Sequence, residues 1–168
     1  PREYFAEGVD PEVKALVVAS AKKMQELGAI IEEMSLSNAG LPLSVYHVIL
    51  PVEISSNLSR YDGIRYGLSV SGDNLSEVYY NSRSAGFGPE PKRRIMIGTY
   101  ASSAGYFDAY YKNAKRVQAL IKKEFTEAFS KFDLLLTPTT STVAFKVGEK
   151  SADPVAMYLA DILTVAAN

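Results

Sequence analysis

Apolar residues recur at helical spacing through most of this chain, and only two short runs depart from that period. Val13, Leu16, Val17, Met24 and Leu27 form one stripe. It is opened by Asp10-Pro11-Glu12, which supplies an N-cap acceptor, a proline pre-set for the first helical position and an acidic first turn. Lys22 and Lys23 suit the negative end of the helix dipole, and Gly28 is placed to stop the helix. Residues 41–60 read as mostly helical, with Pro51 as a break or restart. Gly63, Gly67 and Gly72 among polar residues make 61–74 a loop, after which Asn74 caps a helix running through Tyr80 and Arg83 to Gly86 and Gly88. A further helix covers 91–100. The longest periodic segment, 106–132, puts Tyr110, Ala114, Val117, Leu120, Ile121, Phe125 and Phe129 on one side. Asp153-Pro154 repeats the helix-start signature before Met157, Tyr158 and Ile162. The two exceptions are residues 29–34 and 133–137, the second closed by Pro138; both read as short strands. Two apolar strands among many helices predict part of an α/β fold.

Composition narrows the chemistry. A length of 168 residues fits one domain, and 47% hydrophobic residues suffice for a core. With 18 Lys and Arg against 19 Asp and Glu, the net charge is −1, which leaves no electrostatic footprint for nucleic acid. The sequence has no cysteine, so it has no disulfide, thiolate metal site or Cys nucleophile, which fits a reducing, cytoplasmic setting. A single histidine rules out a multi-His metal site and leaves His47 as the one possible base of a Ser-His-Asp triad. No apolar run is long enough to span a membrane, and the chain does not open on a signal peptide. The sequence starts at Pro1 and stops at Asn168 straight after an apolar helical pattern, without the polar tails usual at domain boundaries. The expectation is a segment of a longer protein.

No complete catalytic constellation is visible. His47 sits beside Tyr46 in an apolar helix with no local nucleophile or orienting acid, and reads first as a structural histidine. None of the serines lies in Gly-x-Ser-x-Gly or Ser-x-x-Lys, and Ser102-Ser103-Ala104-Gly105 reads as a turn and cap between helices. Gly86-Phe87-Gly88 lacks the preceding strand that a phosphate loop requires. Eight tyrosines from Tyr61 to Tyr111 crowd one third of the chain, as either rims of a core or an interface. Lys92-Arg93-Arg94 is ordinarily a solvated face, yet Arg94 precedes Ile95, Met96 and Ile97 and so borders the apolar side. Held inward, its planar fork can grip a carboxylate. Asp161 similarly interrupts an apolar stretch, either as a cap or as a functional anion.

Several strings then carry a family resemblance. Pro1-Arg2-Glu3-Tyr4-Phe5, Ser55 to Gly63 (SSNLSRYDG), Gly86-Phe87-Gly88, Lys92 to Tyr100 (KRRIMIGTY), Ser103 to Tyr111 (SAGYFDAYY) and Leu136-Thr137-Pro138-Thr139 resemble the amidase signature family, with the likeness running along essentially the whole chain. The resemblance implies an α/β fold, a mixed sheet covered by helices, and a Ser–cis-Ser–Lys triad carried by an upstream Gly-Ser-rich region that has no counterpart here. Residues 1–168 are therefore expected to be a single segment without that catalytic half and without the final strands, with no catalytic residue of its own and no activity alone. Within the family the strings are most like those of a glutamine-hydrolysing subunit. In such a complex the subunit hydrolyses glutamine to supply ammonia to subunits B and C, ATP and Mg are used on the partner subunit, tRNA is held mainly there, and the glutaminase step itself needs no cofactor. The resemblance maps glutamine recognition onto Arg94 for the α-carboxylate, Asp161 for the α-ammonium, and Tyr46, with Arg93 as the alternative to Arg94. Another amidase acting on a different small amide, or a non-enzymatic helical interaction module built on the tyrosines, are the competing readings.

Overall fold

A computed structural model describes residues 1–6 and 8–168. Among them, residues 1–43 with 117–168 form one compact unit and residues 44–116 a second. The described residues include six α-helices: α1 (Pro11–Glu26), α2 (Pro42–Asn57), α3 (Leu75–Gly86), α4 (Pro89–Ser102), α5 (Asn113–Phe129) and α6 (Pro154–Leu159). The starts follow the caps in the sequence. Asp10 accepts from the Glu12 N–H at 2.8 Å, Asn74 from the Glu77 N–H at 3.0 Å, and Asp153 from the Val155 and Ala156 N–H groups at 2.9 and 3.1 Å. At α3 the cap is reciprocal, because the Glu77 carboxylate reaches back to accept from the Asp73 N–H and the Asn74 side-chain amide.

In the first unit the core gathers Tyr4, Leu36 and Ala128, with Phe125, Leu135 and Leu163 packed against it. Two carboxylates pin the turn at 35–38 from opposite ends of the sequence. Glu3 accepts from the Ser35 hydroxyl and, at 2.9 Å, from the Leu36 N–H; Glu124 accepts from the Ser37 hydroxyl at 2.7 Å and the Asn38 N–H at 3.2 Å. Burial works against the Glu3 charge, but these donors prevail and hold its carboxyl below the usual range.

The two expected strands are not strands. Residues 29–36 and 134–138 run without helix or ladder, and no strand occurs among the described residues, which corrects the short-strand reading of 29–34 and 133–137. The physical reason is that a strand exists only when a neighbour takes its N–H and C=O groups in a repeating pattern. Here the 29–34 segment makes two separate bonds at its ends, Ala29 N–H to the Met24 carbonyl and Arg2 N–H to the Met34 carbonyl, each at 3.0 Å, which do not repeat as a ladder. Both segments border an apolar groove of about 490 Å³ against Val17, Val18 and Ala21 of α1, with Ile30 and Leu134 largely exposed. The α/β expectation therefore reduces, in this chain, to a helix-rich arrangement.

In the second unit α2 runs through Pro51 instead of breaking there. The loop at 61–74 is clamped onto α3 by Ser82, whose buried hydroxyl accepts from the Val70 N–H at 2.9 Å. Gly63, with φ +85°, passes so close that a Cβ there would lie 2.4 Å from the Ser82 Oγ. Arg83 donates to the Leu58 and Tyr61 carbonyls at 2.9 and 3.0 Å and lies over the Phe87 ring. α4 passes α2 closely, and the Ser55 and Thr99 hydroxyls share a hydrogen bond of 2.8 Å. Gly98 is the buried helical glycine at this crossing; its φ is outside the left-handed region, and a glycine inside a helix costs about 1 kcal/mol relative to alanine. The long periodic segment is split: a π-helical turn covers Asp108–Lys112 before α5 begins.

Candidate functional site

The start of α4 builds a hydrogen-bonded charged group in the second unit. Pro89 opens the helix, which places Glu90 in the first turn, favourable to the dipole, and Arg94 one turn further along the same face. Arg94 donates from Nε to Glu90 Oε1 at 2.8 Å and from Nη1 to the Tyr46 hydroxyl at 3.0 Å. Its Cζ lies 5.8 Å from the Tyr46 ring centroid. The Arg94 side chain is 20% exposed, against 45% for Arg93, which pairs with the other oxygen of Glu90. The phase of the helix therefore turns Arg94, not Arg93, toward Tyr46. Burial opposes the guanidinium charge, but the bonds to Glu90 and Tyr46 outweigh it and hold Arg94 above its ordinary range.

His47 meets the edge of the Tyr46 ring, with centroids 5.2 Å apart. Burial, then the neighbouring Arg94 charge, lowers its pKa against a smaller opposing pull from Glu90, so the neutral imidazole is favoured. This is the environment of a packed, uncharged histidine rather than a poised base. Ser103 closes α4, its hydroxyl donating to the Tyr100 carbonyl at 2.7 Å, with Gly105 at φ +89° two residues on, as a turn between helices requires.

Asp161 lies in the other unit. It is exposed and follows α6 in a series of turns rather than inside a helix, and its carbonyl accepts from the Thr164 and Val165 N–H groups at 3.0 and 3.1 Å. The structure thus joins Tyr46 to Arg94 and describes Asp161 separately. The sequence reading missed Glu90 as the holder of Arg94, although the spacing of four residues on one helix face was available as a signal.

The tyrosines divide. Tyr100, Tyr106 and Tyr110 form an exposed trio with ring centroids 4.4 to 6.1 Å apart. Hydrogen bonding with Tyr106, then burial, pushes the Tyr100 phenol up to about 12. Among the described residues no group of three His, Cys, Asp or Glu side chains is arranged to hold a metal, and no helix is long and apolar enough to cross a membrane.

With this geometry in place, the comparisons with known proteins are specific. A family profile described as Amidase matches residues 1–168. The chain is 55% identical over 168 residues to the A subunit of glutamyl-tRNA(Gln) amidotransferase from Moorella thermoacetica, covering 100% of this chain and 34% of that protein. It is 54% identical over 169 residues to the protein of the same name from Carboxydothermus hydrogenoformans, and 52% identical over 169 residues to that of Streptococcus sanguinis, in each case covering 100% of this chain and 35% of the relative. The chain therefore spans about a third of the length of the relatives it matches.

Proposed function

The chain belongs to the amidase family, and on that premise we propose that it is the substrate-recognition segment of a glutamine-hydrolysing subunit in a glutamyl-tRNA(Gln) amidotransferase. The observation that carries this is the Arg94–Tyr46–Glu90 group. An arginine is held most of the way out of solvent, oriented on one side by a carboxylate of its own helix and on the other by a phenol. Such a fork matches a carboxylate in plane and charge, and a charge-assisted bond contributes about 1.5–3 kcal/mol. Free glutamine offers an α-carboxylate and an α-ammonium. Arg94 takes the first, Asp161 the second, and Tyr46 fixes the arginine.

In the full-length protein, a Ser–cis-Ser–Lys triad outside this chain attacks the side-chain amide carbonyl of glutamine. Ammonia leaves, and water then releases glutamate. Residues 1–168 contribute no nucleophile, so alone they turn over no glutamine. No cofactor is needed for this step. Ammonia passes to the partner subunits B and C, where ATP and Mg serve the amidation of Glu-tRNA; nucleotide binding is assigned to the partner and not to this chain. The setting proposed is cytoplasmic, and the mixed sheet expected from the resemblance is proposed for the full-length protein. The test is Asp161→Ala in that protein: glutamine hydrolysis is expected to collapse through KM while the fold, read by circular dichroism, is retained. Hydrolysis at an unchanged KM refutes the recognition assignment.

A further inference from the structure

The α2–α4 crossing has a feature that the Arg94–Tyr46 pair does not by itself explain. A Cβ at Gly98 would lie 1.9 Å from the Pro51 carbonyl oxygen, 2.4 Å from the Pro51 carbonyl carbon and 2.9 Å from Ser55 Cβ. The main obstacle is backbone, which cannot swing aside as the far end of a side chain would. Restoring an ordinary C···O contact of about 3.3 Å requires the two helices to part by about 1.4 Å at this point. The contacts along the crossing advance together on both helices: Tyr46 with Arg94, Pro51 with Gly98, Ser55 with Thr99. Arg94 is one helical turn before Gly98, so a separation at Gly98 is felt at Arg94.

Arg94 cannot simply follow Tyr46 as the helices part. Its Nε is bonded to Glu90, which belongs to α4 as well, so the guanidinium travels with α4. The Tyr46 bond is 3.0 Å long and does not survive a displacement of that size.

We infer that Gly98 is a positioning residue: by letting α4 pass directly against the Pro51 carbonyl, it keeps Arg94 within reach of the Tyr46 hydroxyl and so sets the pocket for the amino-acid carboxylate. This rests on the recognition role proposed above. Gly98 touches no substrate and acts through the arginine–tyrosine bond alone. The Ser55–Thr99 hydroxyl pair, one residue further along α4, reinforces the same spacing, with Thr99 also anchored to the Ile95 carbonyl at 2.8 Å.

The test uses the full-length protein in its assembled complex, with Gly98→Ala, Tyr46→Phe and the double variant. Gly98→Ala is expected to raise KM for glutamine about ten-fold with kcat within about two-fold, and its crystal structure to show Arg94 Nη1 and the Tyr46 hydroxyl more than 3.5 Å apart. The double variant is expected to be no worse than the more damaged single variant, because both remove one bond. A crystal distance still near 3 Å, an unchanged KM in Gly98→Ala, or KM effects that multiply in the double variant each overturn the positioning role. If the bond breaks in the crystal but neither Gly98→Ala nor Tyr46→Phe alters KM, the recognition reading fails, and the pocket role of Gly98 fails with it. Should Gly98→Ala not fold, Thr99→Val loosens the same crossing without added bulk. It is expected to raise KM about three-fold in the Tyr46 background and not at all in the Tyr46→Phe background; equal effects in both overturn the proposal.

Discussion

Replacing Arg94 by lysine keeps the charge and removes the fork, so it isolates what the guanidinium plane contributes. In the structure that plane is engaged at Nε by Glu90 at 2.8 Å and at Nη1 by Tyr46 at 3.0 Å, with the side chain 20% exposed. A lysine ammonium is a single point; it cannot face Glu90, stay against Tyr46 and present two parallel donors to a carboxylate. At least one charge-assisted hydrogen bond is therefore lost, about 1.5–3 kcal/mol, which corresponds to roughly a 10- to 150-fold rise in KM for glutamine. The neighbouring Arg93→Lys is the internal control. Arg93 is more exposed and pairs within its own helix, an interaction of about 0.3–0.5 kcal/mol, so KM should stay within about two-fold. The assay is the initial rate of ammonia or glutamate formation by the full-length protein in its complex, over a glutamine series that brackets KM. A large effect in Arg93→Lys with none in Arg94→Lys would transfer the role to the adjacent residue. No effect in either would refute carboxylate recognition by this helix.

Two further outcomes concern the fold of the chain itself. Asn74→Ala removes the side-chain acceptor for the Glu77 N–H and the return bond to Glu77, and should cost about 1 kcal/mol, seen as a fall in Tm of about 2–4 °C by calorimetry; an unchanged Tm would show that the cap is idle. His47 is held neutral, first by burial and then by Arg94, so the native state binds fewer protons than the unfolded chain below an ordinary histidine pKa of about 6.5. Stability should accordingly decline as pH falls from about 7 through that value and level off below the lowered native pKa. His47→Gln should flatten this part of a urea-midpoint profile, and a wild-type profile no steeper than the variant's would contradict the burial argument.

Much of the helical framework was legible because its punctuation is local. Asp10-Pro11, Asn74 and Asp153-Pro154 each bind backbone N–H groups within three residues, so their sequence neighbours suffice to identify them. The misread runs at 29–34 and 133–137 show the converse. An apolar run records only a demand for burial; whether it becomes a strand depends on a partner elsewhere, and these runs have none among the described residues. Pro51 misled for a related reason. It lacks the N–H that would bond the fourth residue back, but α2 tolerates that loss at one point without ending, and the crossing by α4 lies just there. At the candidate site, the odd placement of Arg94 beside an apolar run was readable, but the choice between Arg93 and Arg94 was not, because it depends on a helix phase that only the contact with Tyr46 supplies. Asp161 read as an acid interrupting an apolar stretch, and it proves to lie on exposed turns, because α6 ends at Leu159. Gly98 carries no signal in a single sequence that separates it from any other helix-weakening glycine; only the Pro51 carbonyl beside it does.

The division of the chain has a consequence for how it is made. One unit is an unbroken stretch, Ser44–Arg116, while the other is assembled from the stretches on either side. Topologically the first is an insertion: it closes on itself, whereas its host must first bridge a loop of about 70 residues, an entropic penalty that grows only with the logarithm of the loop length. During N-to-C synthesis Tyr46, Glu90 and Arg94 can dock before Asp161 has been translated.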